Sequence, residues 1–107
     1  MLPIRVLNEA RREFAQAVQW YLQQQPSLAN DLANEYIACV ERANEFPTTG
    51  TLVTNQRAKF EVRRFLLDRF PYAVIMACLK EELVVVAVAH QHRKPGYWRK
   101  RLAQIKP

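Results

Sequence analysis

The chain has 107 residues, half of them hydrophobic and only two of them glycine, which fits a single domain spanning residues 1–107. This composition excludes a disordered linker, and no apolar run approaches the roughly 20 residues that span a bilayer. No signal peptide is apparent, so we expect a soluble, cytoplasmic protein without membrane contact. Cys39 and Cys78 are too few to indicate a disulfide framework, and we expect both as small core side chains.

The charge is unevenly distributed along the chain. Residues 1–56 carry four basic and six acidic side chains, a net charge of −2. Residues 57–107 carry twelve basic and four acidic side chains, a net charge of +8. Concentrated positive charge attracts anionic partners, either a phosphate backbone or an acidic protein segment. Charge alone does not distinguish these partners from a basic face that is merely solvated.

The first half of the sequence predicts a short strand followed by two helices. Ile4–Leu7 is apolar and β-branched enough for the strand. Apolar residues then recur at three- and four-residue spacing, which predicts amphipathic helices over about residues 9–25 and 27–46. The short connection at Pro26 makes them an antiparallel pair. From the first half, the side chains expected in the core are Phe14, Tyr21, Leu32 and Val40.

The second half predicts a sheet. Residues 48–55 are rich in threonine and are interpreted as a loop. Three strand-length runs follow at 60–67, 72–79 and 83–90, and their short connections favour antiparallel pairing. The run 83–89 lacks alternation, so this strand is predicted to be central and buried on both faces. The fold class is therefore α+β, in the order β-α-α-β-β-β, with a helix hairpin on a small antiparallel sheet. The core residues expected from the strands are Val74, Met76, Val86 and Val88.

The chain ends in a basic segment that follows a break at Pro95-Gly96. From Tyr97 onward, here called the C-terminal tail, the sequence combines two aromatic side chains with several cations and predicts a last short helix. Trp98 is interpreted as an aromatic plug against the sheet, whereas Tyr97 fits either a plug or a platform for a base. Arg99 and Arg101 are expected to be exposed.

Several short segments of the second half, in this order, carry a resemblance to a known family. They are Val62-Arg63-Arg64, Arg69-Phe70-Pro71-Tyr72, Ala87-Val88-Ala89-His90, Arg93-Lys94-Pro95-Gly96-Tyr97-Trp98, and Arg101. Together with the strand and two helices before them, they closely resemble the RelE/ParE superfamily of bacterial toxins from type II toxin–antitoxin systems. The resemblance covers about the whole chain, and several spaced motifs are more specific than one.

This resemblance implies a growth-inhibiting toxin neutralised by a cognate acidic antitoxin, with one of two targets. RelE-like members cleave mRNA on the ribosome and tend to use scattered cations with a late tyrosine or histidine. ParE-like members inhibit DNA gyrase without catalysis. Only Lys59 precedes Arg63 and Arg64 in the stretch that is lysine-rich in RelE proper, so gyrase inhibition is favoured and endoribonuclease activity is the alternative. The catalytic candidates, in the RelE-like case alone, are Arg63, His90, His92 and Tyr97. The candidates for binding target or antitoxin are Arg57, Lys59, Arg63, Arg64, Arg93, Lys94, Arg99 and Arg101.

Several of the residues in these motifs can also be interpreted as having a purely structural role. Arg63 and Arg64 point to opposite faces of a strand, so one can meet a ligand while the other pairs with an acid or lies under the helices. Phe70 is interpreted as a core residue, and so is Tyr72. The two histidines lack further ligands at suitable spacing, and we expect no metal and no cofactor.

Overall fold

We describe residues 1–54 and 57–106 of a computed structural model of the chain. The predicted α+β order is confirmed, with boundaries within one residue of those expected from the sequence for both helices. Two 3₁₀ helices, Pro47–Thr49 and Arg99–Gln104, accompany the main elements. These elements are β1 (Ile4–Val6), α1 (Asn8–Gln24), α2 (Pro26–Glu45), β2 (Thr51–Leu52), β3 (Glu61–Leu66), β4 (Tyr72–Cys78) and β5 (Leu83–His90).

The five strands form one sheet in the order β1-β5-β4-β3-β2. The predicted antiparallel pairing of β3, β4 and β5 is confirmed. At the edge, β1 pairs with β5 in parallel, which makes the sheet mixed. The helix hairpin and three further strands separate β1 from β5 in the chain, so the two can pair in parallel without a tight connection.

The interpretation of residues 48–55 as a plain loop is wrong for part of its length. A 3₁₀ helix begins at Pro47, and Thr51 and Leu52 then pair with Arg64 and Arg63 of β3. Two residues are too short a strand to give an alternating pattern in the sequence. Asn55 lies outside the described residues.

Both faces of the sheet are covered, which explains the uninterrupted apolar sequence of β5. The helix hairpin packs on one face, where Leu32 and Met76 are fully buried. The C-terminal tail packs on the other, where Trp98 and Ile105 are 4% and 5% exposed and lie against Val84 and Val86. The predicted central, buried position of β5 and the plug role of Trp98 are thus confirmed.

Most of the predicted core is buried, with two exceptions. Phe14 and Tyr21 are only partly buried, because they lie at the margin between the hairpin and the sheet. There Phe14 stacks on Tyr36 at 4.3 Å and Tyr21 meets the buried Phe70 edge-on at 5.0 Å. Within residues 1–54 and 57–106, no helix has the length and apolar content needed to cross a membrane.

The pairing of β4 with β5 contains a one-residue shift. Ile75 lies opposite Ala87, whereas Met76 lies opposite Val85, so Val86 has no partner on β4. An extra residue of this kind is left unpaired, interrupts the ladder locally and bends the strand. This matters because β1 pairs only with Leu83–Val85, and Leu7 donates the last hydrogen bond to Val85 at 3.0 Å. Beyond that point, no strand within the described part of the chain lies beside this edge of β5.

Candidate functional site

A groove of about 290 Å³ opens at the end of the sheet where β5 passes into the C-terminal tail. We call it the sheet-end groove. It collects residues from β3, β4, the end of β5 and the turn before the tail. The side chains and backbone that line it are those of Val53, Arg64, Leu66, Leu67, Phe70, Tyr72, Ala73, Ile75, Ala89, His90, Gln91, Arg93, Lys94, Pro95, Gly96, Tyr97, Trp98 and Arg99.

The sheet-end groove is positively charged. Four cations line it, and none of its described lining residues is acidic. The salt bridges among the described residues also leave these four side chains without a carboxylate partner, although Arg99 donates to the Val53 carbonyl at 3.4 Å. A concave surface with this charge attracts anionic groups and speeds their encounter. The four cations are Arg64, Arg93, Lys94 and Arg99.

One histidine lines this groove, and a second histidine stacks on it. The rings of His90 and His92 stack with centroids 5.0 Å apart, and the half-buried Tyr72 meets His90 edge-on at 5.1 Å. The backbone N–H of His92 donates to Nδ1 of His90 at 3.1 Å. An accepting Nδ1 places the proton of neutral His90 on Nε2. His90 is half-buried and lines the groove, whereas His92 is exposed.

Beside the groove, Glu13 of α1 joins the C-terminal tail to β5. Its Oε1 accepts hydrogen bonds from Arg101 Nη1 at 2.8 Å and from the Val88 N–H at 3.1 Å. Its Oε2 accepts from the Tyr97 hydroxyl at 2.6 Å and from Arg101 Nη2 at 2.9 Å. Arg101 Nη1 also donates to the Val86 carbonyl at 3.1 Å. We call Glu13, Tyr97 and Arg101, with these two backbone groups, the Glu13 cluster.

The Glu13 cluster compensates for the missing strand beside β5. The Val86 carbonyl and the Val88 N–H lie at and after the register shift, beyond the residues that β1 reaches, and they bond to side chains instead. Buried backbone groups without partners are costly, and side chains from α1 and the tail satisfy both. The side chains of Glu13 and Arg101 are only 13% and 15% exposed, so the ion pair is largely shielded from solvent.

The cluster also shifts the protonation equilibria of its members. Burial alone would raise the pKa of Glu13, but hydrogen bonds from Arg101, Tyr97 and Val88 outweigh it and lower the pKa below 4.5. Burial raises the pKa of Tyr97 well above its ordinary value, and the hydrogen bond to the Glu13 carboxylate raises it further. Tyr97 therefore keeps its proton at neutral pH and acts as a hydrogen-bond donor.

The predicted opposite orientation of Arg63 and Arg64 is confirmed. Arg64 is exposed and lines the sheet-end groove. The side chain of Arg63 is 14% exposed, donates to the Gly50 carbonyl at 2.7 Å and pairs with Glu61 at 3.1 Å. Arg63 is thus absent from the groove that contains His90 and Tyr97.

The expectation that Arg101 is an exposed surface residue is wrong. Its guanidinium is enclosed by Glu13 and the β5 backbone, with the Tyr97 ring centroid 5.1 Å away. Arg57 and Lys59 lie elsewhere, in a second groove of about 510 Å³ that Lys106 also lines. The predicted binding residues therefore lie in three places: the sheet-end groove, the second groove and the protein interior.

Sequence reasoning did not identify Glu13 as a candidate. A signal was present, because Glu13 lies three residues after Ala10 and four before Ala17, on the face of α1 that these two alanines define. A carboxylate within an apolar stripe needs a partner when the helix packs. The sequence alone gives no indication that the partner lies 88 positions away.

Comparison with known proteins gives a likeness of fold. No protein-family model matches the chain, and no curated protein matches it. Among solved structures, a chain described as "Chromosomal ParDE TA system from P. aeruginosa" matches with a TM-score of 0.67 and 14% sequence identity. The match covers 84% of this chain and 96% of that one. At this identity the match shows a shared fold, in agreement with the fold that the sequence resemblance implied.

Proposed function

We propose that this protein is the toxin of a type II toxin–antitoxin system, that a cognate acidic antitoxin neutralises it, and that it inhibits DNA gyrase. Two independent observations support the toxin assignment: the ordered motifs of the second half and the likeness of fold to a chain from a ParDE system. The cations concentrated beyond residue 57 match an acidic antitoxin segment that folds as it binds.

One observation carries the choice of gyrase over RNA cleavage. Cleavage of a phosphodiester requires a cation, an acid and a base around one phosphate. Here Arg63 is bonded to Gly50 and Glu61 away from the groove, and the Tyr97 hydroxyl is bonded to Glu13. The exposed cations instead form a surface, which is what inhibition of a protein–DNA machine requires.

Ribosome-dependent mRNA cleavage is the second candidate, and the sheet-end groove favours it. His90 lines this groove together with Arg64 and Arg93, so one titratable side chain and two cations share a concave site. A histidine side chain can serve as a general acid or base in such sites. Under this alternative, Arg64 takes the place expected of Arg63.

Purified protein distinguishes the two targets directly. We expect it to inhibit DNA supercoiling by gyrase and to leave mRNA intact on translating ribosomes. The product of an adjacent small open reading frame, added in equal amount, should abolish the inhibition. Cleaved mRNA with unaffected supercoiling would replace the gyrase proposal by the second candidate.

A further inference from the structure

The cations of the sheet-end groove are connected to α1 through the Glu13 cluster. Glu13 binds the Tyr97 hydroxyl, and the guanidinium carbon of Arg93 lies 3.9 Å from the centroid of the Tyr97 ring. Arg99 lies between the two tail residues that Glu13 binds, with its guanidinium carbon 5.0 Å from the Trp98 ring. Displacing Tyr97 and Arg101 would therefore move Arg93 and Arg99 with them.

The attachment of the tail to α1 is polar and depends on few groups. Beyond Glu13, the other hydrogen bond between the described parts of α1 and the tail joins Glu9 to Gln104 at 2.6 Å. Trp98 and Ile105 contribute apolar burial against the sheet. Apolar packing is non-directional, whereas four hydrogen bonds to one carboxylate fix an orientation.

We infer that Glu13 is a positioning residue for the target-binding surface: it contacts no target and orients Arg93 and Arg99 through Tyr97 and Arg101. The identity of the target rests on the proposed function, whereas the effect of Glu13 on the tail does not. A carboxylate on the first helix thus determines the activity of cations located more than 75 residues later in the chain. Glu13→Gln keeps the size of the side chain and removes the charge that accepts from Arg101.

The first experiment compares Glu13→Gln with Glu35→Gln in a Trp20→Phe background. Trp20 is 54% exposed and Trp98 is 4% exposed, so this background leaves fluorescence from the buried ring alone. Glu35 is the matched control, because its side chain is 16% exposed and binds Arg69 away from the tail. We expect Glu13→Gln to increase acrylamide quenching of Trp98 and to weaken gyrase inhibition by about tenfold or more, with both unchanged in Glu35→Gln.

The second experiment tests whether Glu13 acts only through position. Glu13→Gln combined with Arg101→Gln removes both charges and leaves no buried charge unpaired, while the two amides can still bond to each other, to the Val86 carbonyl and to the Val88 N–H. If Glu13 only positions the tail, the double variant should inhibit more strongly and shield Trp98 better than Glu13→Gln. This recovery separates positioning from direct contact of either charge with the target.

Three outcomes would overturn the inference. The first is normal inhibition by Glu13→Gln, and the second is an equal loss in Glu35→Gln, which would reflect destabilisation in general. The third is weakened inhibition with Trp98 still shielded and no recovery in the double variant, which would indicate direct contact with the target. If the wild-type protein fails to inhibit gyrase, the proposed function fails, and Trp98 quenching still decides whether Glu13 orients the tail.

Discussion

Glu13 and Arg101 are joined by two hydrogen bonds of 2.8 and 2.9 Å, although 88 positions separate them in the sequence. One of the two Arg101 nitrogens also binds the Val86 carbonyl, and a Glu13 oxygen also binds the Val88 N–H. The pair therefore does more than neutralise charge. It completes the hydrogen bonding of a strand edge that β1 is too short to cover.

The pH dependence of stability should reveal this pair. Because the folded-state pKa of Glu13 is lowered below 4.5, its contribution is present above that pH and is lost as the pH falls. We expect the melting temperature of the wild type to exceed that of Glu13→Gln at pH 7, and the difference to shrink as the pH falls below about 4.5. A difference that stays constant between pH 7 and pH 3 would contradict the lowered pKa.

Tyr97→Phe separates the two proposed mechanisms. The variant keeps the ring under Arg93 and removes the hydroxyl that donates to Glu13, which should cost about 1 kcal/mol of stability. Gyrase inhibition needs no proton transfer from this residue, and Arg101 still holds the tail to Glu13 in this variant. We therefore expect the variant to remain toxic in a growth assay. Tyr36→Phe is the control, because the Tyr36 hydroxyl forms no hydrogen bond to any described residue. Complete loss of toxicity in a folded, antitoxin-binding Tyr97→Phe protein would favour the ribonuclease.

Positive charge in the sheet-end groove should accelerate binding of the antitoxin. Replacing Arg64, Arg93 and Arg99 together by alanine should slow association most at low salt, because long-range attraction is screened as ionic strength rises. A matched triple alanine variant at Arg5, Arg11 and Arg12 loses the same net charge elsewhere on the molecule. Equal slowing of association in the two variants, measured by stopped flow, would show that net charge matters and the groove does not.

Gly50 should not tolerate a side chain. Its backbone is extended with φ of −79°, so the constraint is space: a Cβ would lie 2.5 Å from Cζ of the buried Phe65 ring. We expect Gly50→Ala to lower the free energy of unfolding by about 1 to 3 kcal/mol in urea denaturation. Combining it with Phe65→Leu should recover part of that loss. Additive effects of the two changes would mean that the added methyl group does not meet the ring.

The spacing of apolar residues predicted those helices and strands whose own sequence has a recognisable periodicity. Apolar spacing gave both helices, and the unbroken apolar run of β5 indicated burial on both faces. The parallel pairing of β1 and the two-residue β2 depend on distant partners and leave little trace in local periodicity. The environments of the charged residues were the hardest feature to predict, because no local sequence pattern distinguishes Arg64 from Arg101. One lines the sheet-end groove, and the other is enclosed by a carboxylate from α1.

The distance along the chain between Glu13 and Arg101 also bears on when this protein becomes active during its synthesis. Contacts between remote segments form only after both have been made, and they are slow compared with local ones. A nascent chain can form α1 and α2 early, whereas β5 and the tail leave the ribosome later. The basic surface therefore remains incompletely folded until Arg101 has been translated. Under the proposed function, this delay gives an antitoxin present at that moment an opportunity to bind before the protein can act.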